Sequence, residues 1–267
     1  MTKQGPLEFI SIGHVTIDII NGEIRPGGAA AYAALAAKRL GARAGIVTSF
    51  AHDYPFANCL RSVEKKVIAA KTNTVFQNTY QNGKRYQQVT SIASHIRTKH
   101  LRDLNLARDA AVLYCPVTHE IKTPLVSLTP AGICGVAPQG FFRKWDCSGR
   151  VSKRKWLEAS KALANADFIS ISQDDTPNAE KLARKLSENI FVITNSSEGS
   201  RIFTGSKIYN VPAERVNVVD ETGAGDVFAA TFLLFLRQGL SALEAARAAT
   251  HEAASTIEQP GLGALLC

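Results

Sequence analysis

The sequence lacks the features that identify several large classes of protein. Its five cysteines are an odd number, are widely spaced and include no CxxC pair (Cys59, Cys115, Cys134, Cys147 and Cys267). They cannot all pair as disulfides and they give no zinc-binding spacing, so reduced thiols are expected. The histidines likewise show no HxxxH spacing.

Long apolar runs are also missing. The longest, near FAATFLLFL at 228–236, is far shorter than the roughly 20 residues that span a bilayer. The opening MTKQGPLEFISIG has no apolar core of the kind found in signal peptides. We therefore expect a cytoplasmic protein that does not enter a membrane.

Charge of one sign is not concentrated anywhere. The formal net charge is +8, and the densest basic cluster is SKRK at 152–155, without interleaved aromatic residues. Binding of single-stranded nucleic acid needs such aromatics, so no nucleic-acid partner is predicted. The scattered excess fits either a solvated basic surface or an anionic small ligand such as a nucleotide.

Two nucleotide-binding motifs are absent as well. No GxxxxGK[ST] occurs, which argues against a P-loop phosphotransferase. The first apolar run, FISIGHVTID, offers one glycine, Gly13, instead of the GxGxxG of a dinucleotide-binding unit.

What the chain does have is an alternation of short apolar runs and helix-like segments. The runs lie at 9–13, 44–50, 111–115, 132–137, 168–172 and 191–194. Helices are expected over 29–41, ending on Gly41, and over 176–189, with Thr176 as cap and Pro177 as first residue. This pattern predicts an α/β fold with a doubly wound, mainly parallel sheet in three layers, as one domain over 1–267.

Two polar segments interrupt this alternation. Residues 72–91 read as two strand-like arms around Asn82-Gly83, and residues 17–26 carry a second such pair, Asn21-Gly22. Asn-Gly between strand-like arms is a strong hairpin signal, because both residues tolerate positive φ. The two segments could form a small β lid over a site, or a surface ornament.

The stretch TGAGD, 222–226, sits between an apolar strand-like piece and a strongly apolar helix. Unpaired N–H groups at a helix start, with glycines that permit close approach, form a site for anionic oxygens. Asp226 would lie in the first turn, where positive potential favours the ionised carboxylate. On its own the motif fits a plain turn equally well, but a buried helix start favours a bound anion.

In motif order the chain resembles the ribokinase, or PfkB, family of carbohydrate kinases. VVDETGAGDVFAATF is similar to the family's C-terminal signature, and GGAAAYAALAAKRLG to its N-terminal one. GHVTID at 13–18 resembles the opening segment that ends in a substrate-binding aspartate, and TNSSEGSRIF at 194–203 resembles the nucleotide-binding stretch. The resemblance implies a ribokinase-like fold and transfer of the γ-phosphoryl group of ATP, with Mg²⁺, to a hydroxyl.

The resemblance also implies a role for each matching residue. Asp226 would be the general base, and the anion hole would comprise Gly223, Ala224 and Gly225. The acceptor would meet Asp18, Gly27, Gly28 and Tyr32, and ATP would meet Thr194, Ser196, Gly199, Thr250 and His251. Metals would be held by Asp175 through water, and by Asp220 and Thr222 for a monovalent cation such as K⁺.

Several positions depart from the family pattern. Tyr32 stands where the family usually has Asn, and Ser196 replaces the first glycine of the nucleotide stretch. The family's N-x-x-E motif appears as SQDD at 172–175, and Glu221 replaces a threonine. A catalytically weakened, ligand-sensing relative is therefore a second hypothesis.

The acceptor is less defined than the reaction. The pieces GGAAAYAALAAKRLG, APQGFFR (137–143) and TNSSEGSRIF look most like an inositol-kinase-like branch, whose acceptor is a neutral cyclic polyol. A sugar or a nucleoside remains an alternative acceptor. Arg143 and Arg85 could contact an anionic group or be surface charges, and the hairpin could also form a homodimer surface.

Overall fold

The computed structural model describes residues 5–81, 84–122 and 132–266, with the side chains of 80, 81, 84 and 85 left out. Its strands are β1 (Leu7–Ile12), β2 (Thr16–Ile20), β3 (Glu23–Gly27), β4 (Ala44–Phe50), β5 (Glu64–Ala69), β6 (Thr74–Gln81), β7 (Lys84–Ser91), β8 (Ile96–Arg97), β9 (Leu106–Tyr114), β10 (Ile121–Lys122), β11 (Ile133–Val136), β12 (Arg143–Trp145), β13 (Val151–Lys153), β14 (Phe168–Ser172), β15 (Ile190–Thr194), β16 (Ser200–Thr204) and β17 (Lys207–Val211). Its α-helices are α1 (Ala29–Arg39), α2 (Ala159–Leu163), α3 (Ala179–Lys185), α4 (Ala224–Arg237) and α5 (Ala242–Thr256).

The main sheet has nine strands in the order β17-β16-β15-β14-β11-β9-β1-β4-β5. The pairings from β15 through to β5 are parallel, and β16 and β17 add an antiparallel edge. The carboxyl ends of the parallel strands therefore meet at one edge, where open α/β sheets bind their ligands.

Both faces of this sheet are covered. Along β9, Ala111 and Leu113 pack with α1, α4 and α5, whereas Val112 and Tyr114 pack with α2 and α3. Because successive strand residues point to opposite faces, apolar side chains at every position require cover on both sides. The predicted three-layer, mainly parallel α/β fold is confirmed.

A second, four-stranded sheet has the order β3-β2-β6-β7. β2 and β3 pair antiparallel across Asn21 and Gly22, whose φ values of 52° and 85° are those expected of this turn. β6 and β7 pair antiparallel as the sequence pattern predicted, although the Asn82-Gly83 turn lies outside the described residues. Two short ribbons, β8 with β10 and β12 with β13, complete the strands.

Helix α1 and Gly41 follow the prediction closely, but α3 does not. Gly41 has a φ of +87° just after α1, which is the left-handed conformation expected there. The predicted helix over 176–189 is Ala179–Lys185, so Thr176 as cap and Pro177 as first residue were wrong. The Thr176 hydroxyl instead accepts the N–H of Asn178 at 3.3 Å, in a local turn that precedes the helix.

Strand β9 also differs from its prediction. It begins at Leu106, five residues before the predicted start at 111, because the exposed Arg108 and Asp109 hide its first half from an apolar-run criterion. Among the described residues no helix is long and apolar enough to cross a membrane.

Candidate active site

A cavity of about 1760 Å³ lies between the carboxyl edge of the main sheet and the four-stranded sheet. It brings together nearly all the residues that the sequence predicted for a site, from Asp18 to Thr250. The exceptions are Gly27 and His251, which do not line it.

The start of α4 supplies the chemistry that TGAGD suggested. Gly223 precedes the helix with a φ of +82°, and its carbonyl accepts the N–H of Asp226 at 3.0 Å. Within the described part of the chain the amides of Gly223 and Gly225 donate to no partner. Two amides at a helix start therefore face the cavity beside a carboxylate, which is an arrangement that binds an anion.

Asp226 has an unusual electrostatic environment. Burial raises the pKa of its carboxyl to about 7; Arg143 acts to lower this pKa, while Asp175 and Asp18 raise it further. The expectation that the helix start would favour the ionised form was wrong in direction, because burial and two like charges outweigh the helix dipole. A carboxyl with a pKa near neutrality suits general acid–base catalysis.

The acceptor side of the cavity is built from β2, β3 and the start of α1. Asp18 accepts a hydrogen bond from the Thr16 hydroxyl at 2.8 Å. Gly27 packs so closely that a Cβ there would lie 2.6 Å from Oδ2 of Asp18. Gly28, with a φ of +97°, approaches the carbonyl of His14 in the same way. The glycine pair thus lets α1 begin directly against the segment that carries Asp18.

Tyr32 joins the two sides of this region. It is 1% exposed, and a Cβ on Gly223 would lie 2.1 Å from its ring. Its hydroxyl has no hydrogen-bond partner among the residues described. Burial raises the pKa of Tyr32, as do the charges of Asp220, Asp18 and Asp226, so the phenol stays protonated.

The predicted nucleotide side lies at the carboxyl end of β15. Ser196 has a φ of 43°, a left-handed conformation that glycine adopts more readily, which accounts for the glycine in the family pattern. Gly199 has a φ of +91° and packs against the carbonyl of Val211. Thr194 lines the cavity beside them.

Helix α5 contributes less than the sequence suggested. The Thr250 hydroxyl donates to the carbonyl of Ala246 at 2.9 Å, so it is already engaged within the helix. His251 is exposed and lies 3.0 Å from Glu214, outside the cavity lining.

The acidic residues proposed as metal ligands occupy two separate places. Oδ2 of Asp175 accepts the amide of Ser172 at 3.0 Å, and burial raises the pKa of this carboxyl. Asp220 accepts the amides of Thr222 and Gly261 at 2.9 and 3.0 Å. Burial acts to raise the pKa of Asp220, but these hydrogen bonds and Arg25 hold it below its ordinary value. No group of three or more His, Cys, Asp or Glu side chains forms a metal site in the described ranges.

One residue that the sequence left open is central to the site. Arg143 lines the cavity and influences the carboxyls of both Asp226 and Asp175. The available signal was APQGFFR, in which a short 3₁₀-helix, Gln139–Phe142, leads directly into Arg143.

The chain is similar to known carbohydrate and nucleoside kinases. Residues 158–266 match the model of the pfkB family carbohydrate kinases. Fructokinase-2 of Oryza sativa subsp. japonica is 29% identical over 238 residues, 78% of this chain and 70% of that protein. The cytidine kinase of Thermococcus kodakarensis is 24% identical and covers 96% of this chain and 98% of its own.

Solved structures extend the likeness to nearly the whole chain. A pyrophosphate-dependent kinase of the ribokinase family, solved with sulfate, superposes with a TM-score of 0.82 at 21% identity, over 95% of this chain and 96% of that one. The adenosine kinase of Sinorhizobium meliloti gives a TM-score of 0.73 at 17% identity, over 98% of both chains. The fold is therefore that of the ribokinase-like kinases. The C-terminal part of the chain, residues 158–266, resembles the pfkB family carbohydrate kinases, whose model it matches.

Proposed function

We propose that the protein transfers the γ-phosphoryl group of ATP to a hydroxyl of a small neutral polyol or sugar, with Asp226 as general base. The observation that carries the proposal is the start of α4. There a carboxyl with a pKa of about 7 lies beside two amides without partners, in a cavity that it shares with Asp18.

The residues divide the reaction between them. Asp18 binds and orients the acceptor, and Asp226 accepts the proton of the attacking hydroxyl. The amides of Gly223, Ala224 and Gly225 stabilise negative charge on the transferring group, although the Ala224 amide also contacts the carbonyl of Glu221 at 3.3 Å. Phosphoryl transfer depends mainly on such positioning and charge neutralisation.

The chain fits a magnesium nucleotide rather than a fully protein-bound metal. Mg²⁺ usually keeps several waters and binds through one or two carboxylates and the substrate phosphates, so a three-carboxylate cluster is not required. Asp175, which borders the cavity, would hold such an ion through water. The bound ion would neutralise phosphate charge. We propose Asp220 and Thr222 for a monovalent cation, to be tested by replacing K⁺ with choline in the assay.

The four-stranded sheet would act as the lid within a single kinase domain. Asp18, Phe76, Tyr86 and Gln87 line the cavity from its strands, which supports a role in covering the acceptor. The same sheet exposes Ile24, and we propose it as a homodimer surface that sedimentation of an Ile24→Glu variant would test.

A polyol is favoured as acceptor because the acceptor side presents carboxylates, which accept hydrogen bonds from hydroxyls. One solved neighbour is described with myo-inositol and a pyrophosphate analogue, and the curated relatives include fructokinases. A nucleoside is the second candidate, supported by the cytidine kinase that matches along almost its full length.

A coupled assay of ADP formation over inositols, ketohexoses and nucleosides would test the proposal, with pyrophosphate as a parallel donor. The proposal is supported if a polyol or sugar is phosphorylated and if this activity is lost when Asp226 is replaced. Tight acceptor binding without turnover under either donor would favour a ligand-sensing protein instead.

A further inference from the structure

Arg143 lines the cavity and contacts two parts of the molecule. It begins β12 and is half-buried. One guanidinium nitrogen donates to the carbonyl of Val117 at 3.2 Å. The guanidinium group also lies over the ring of Phe76, with Cζ 5.8 Å from the ring centroid. Phe76 belongs to β6, so Arg143 bridges the main body of the protein and the four-stranded sheet.

The carbonyl of Val117, which accepts the hydrogen bond from Arg143, belongs to a loop that Glu120 holds in place. Glu120 is fully buried, and its carboxylate accepts the amides of Val117 and Thr118 at 3.0 and 2.8 Å. It also accepts the amide of His14 at 3.0 Å, which ties the loop to the end of β1. A buried carboxylate with this many donors makes the loop rigid.

Close packing fixes the other end of the same segment. Gly140 lies against this loop so tightly that a Cβ would be 2.1 Å from the carbonyl of Thr118. The short 3₁₀-helix Gln139–Phe142 therefore docks in one position, and Arg143 leaves it in a defined direction. Such preorganisation is what a group that acts on a reacting centre requires.

The carboxylates that line the cavity must be offset by a positive charge if an anionic phosphoryl group is to bind there. Asp18, Asp175 and Asp226 all line the cavity, and three carboxylates would repel a phosphoryl group. Arg143 lies near enough to Asp226 and Asp175 to lower the pKa of each. It thus lines the same cavity as the candidate base and Asp175, and its positive charge acts on both carboxyls.

We propose that Arg143 is a catalytic residue whose guanidinium binds the phosphoryl group during its transfer. This inference rests on the proposed kinase function. In the step itself, the acceptor oxygen forms a bond to phosphorus as the bond to the leaving diphosphate oxygen breaks. The hydroxyl proton passes to Asp226, and Arg143 neutralises charge on the phosphoryl oxygens without exchanging a proton.

The test compares neighbouring residues on one strand. Arg143→Gln and Lys144→Gln each remove one positive charge from β12, but Lys144 is exposed and does not line the cavity. We expect kcat to fall by roughly 10³-fold or more in R143Q, the range typical of an arginine that binds the transferred phosphoryl group. K144Q should keep the wild-type kcat. Arg143→Lys should recover part of the loss, because it keeps the charge but not the two-pronged geometry.

A pH profile of kcat distinguishes a catalytic role of Arg143 from a purely structural one. Asp226 faces Arg143, Asp175 and Asp18, with Tyr32 and Cys115 also nearby. Because Arg143 lowers the pKa of Asp226, R143Q should shift the acidic limb of kcat to higher pH, whereas R143K and K144Q should not. Thermal unfolding checks that each variant is folded.

A kcat in folded R143Q within threefold of that in K144Q would overturn the inference. So would a higher KM for the acceptor with kcat unchanged. Calorimetric titration with inorganic pyrophosphate keeps the two proposals apart: we expect at least tenfold weaker binding in R143Q only. If wild type binds pyrophosphate through Arg143 but phosphorylates no acceptor, the kinase proposal fails and phosphoryl binding by Arg143 stands. If turnover is normal and R143Q binds pyrophosphate as tightly as wild type, the inference about Arg143 fails and the kinase proposal stands.

Discussion

Helices α1 and α4 begin with the same backbone geometry but differ in the residues of their first turns. Each follows a glycine with positive φ, Gly28 at 97° and Gly223 at 82°, and neither has a side-chain cap. In each, the glycine carbonyl accepts the amides of the third and fourth helical residues. The third residue differs: it is the buried Ala31 in α1 and Asp226, facing the cavity, in α4.

This difference shows that a local backbone conformation does not by itself make a site. The first turn of α1 borders the cavity too, but its side chains are buried and its glycine is pressed against the backbone of His14. In α4, Gly225 has open space around it, so a ligand can reach the amides. The same backbone geometry therefore has different uses, because only α4 has both open space beside a first-turn glycine and a carboxylate in that turn.

The largest expected effect comes from removing the carboxylate that distinguishes the start of α4 from that of α1. Asp226→Asn keeps the size of the side chain but removes its ability to accept a proton. We expect kcat to fall by about 10²- to 10⁴-fold, the usual contribution of a general base. Steady-state ADP formation measures the loss, and calorimetry with ATP should show nucleotide binding largely intact. Full activity in the variant would rule out the mechanism.

Both glycines should tolerate a side chain poorly. Gly28→Ala places a Cβ 2.4 Å from the backbone oxygen of His14, and Gly223→Ala places one 2.1 Å from the ring of the buried Tyr32. Because each Cβ meets closely packed atoms, we expect G28A and G223A each to lower the free energy of unfolding by more than backbone strain alone. Gly41→Ala is the control, since Gly41 has positive φ but open space, and should cost about 1 kcal/mol from strain alone.

Urea unfolding at one pH gives all three values. If G41A proves as damaging as G28A and G223A, backbone conformation rather than close approach explains the glycines, and the expectation would be wrong.

The pKa of Asp226 predicts a pH-dependent stability that α1 cannot show. Because the folded-state pKa of about 7 lies above the ordinary carboxyl value, the folded protein retains a proton that the unfolded chain has released. The contribution of this group to stability therefore falls as pH rises from about 4 to 7, and is constant beyond. D226N should gain stability relative to wild type at pH 8 but not at pH 4, in matched urea titrations. An equal difference at both pH values would contradict the raised pKa.

The smallest effect concerns Tyr32, which links the two helices. Tyr32→Phe removes a buried hydroxyl that lacks a partner in the described structure, so stability should be unchanged or higher. Tyr54→Phe is the matched control, because the Tyr54 hydroxyl donates to the carbonyl of Thr16 at 3.2 Å, and losing it should cost about 1 kcal/mol. Differential scanning calorimetry compares them. Equal destabilisation by both substitutions would show that the Tyr32 hydroxyl is satisfied in solution.

Much of the fold was predictable because it depends on local pattern. Strands β4 and β14 match the apolar runs at 44–50 and 168–172 residue for residue, and Gly41 and Asn21-Gly22 adopt the expected conformations. The start of α3 was misplaced because the Thr176 hydroxyl accepts the amide of Asn178 in a turn before the helix. The start of β9 was predicted too late because the exposed Arg108 and Asp109 interrupt its apolar run.

The candidate site was predictable in its residues but not in its energetics. TGAGD gave the helix start and its carboxylate, yet the direction of the Asp226 pKa shift depends on Asp18, Asp175 and Arg143, which are far apart in the chain. Likewise, the local sequence did not show that the Thr250 hydroxyl donates to a carbonyl of its own helix or that the His251 imidazole lies beside Glu214.

The sequence alone determined the α/β alternation, the glycines at the two helix starts and the carboxylate at Asp226. These follow from periodicity and from the conformations that only glycine adopts readily, which are properties of short segments. Tertiary structure alone decided that the charge of Arg143 acts on two carboxyls and that Gly28 is closely packed while Gly225 has open space around it. Burial and the distance between charges arise only when segments remote in the chain are brought together.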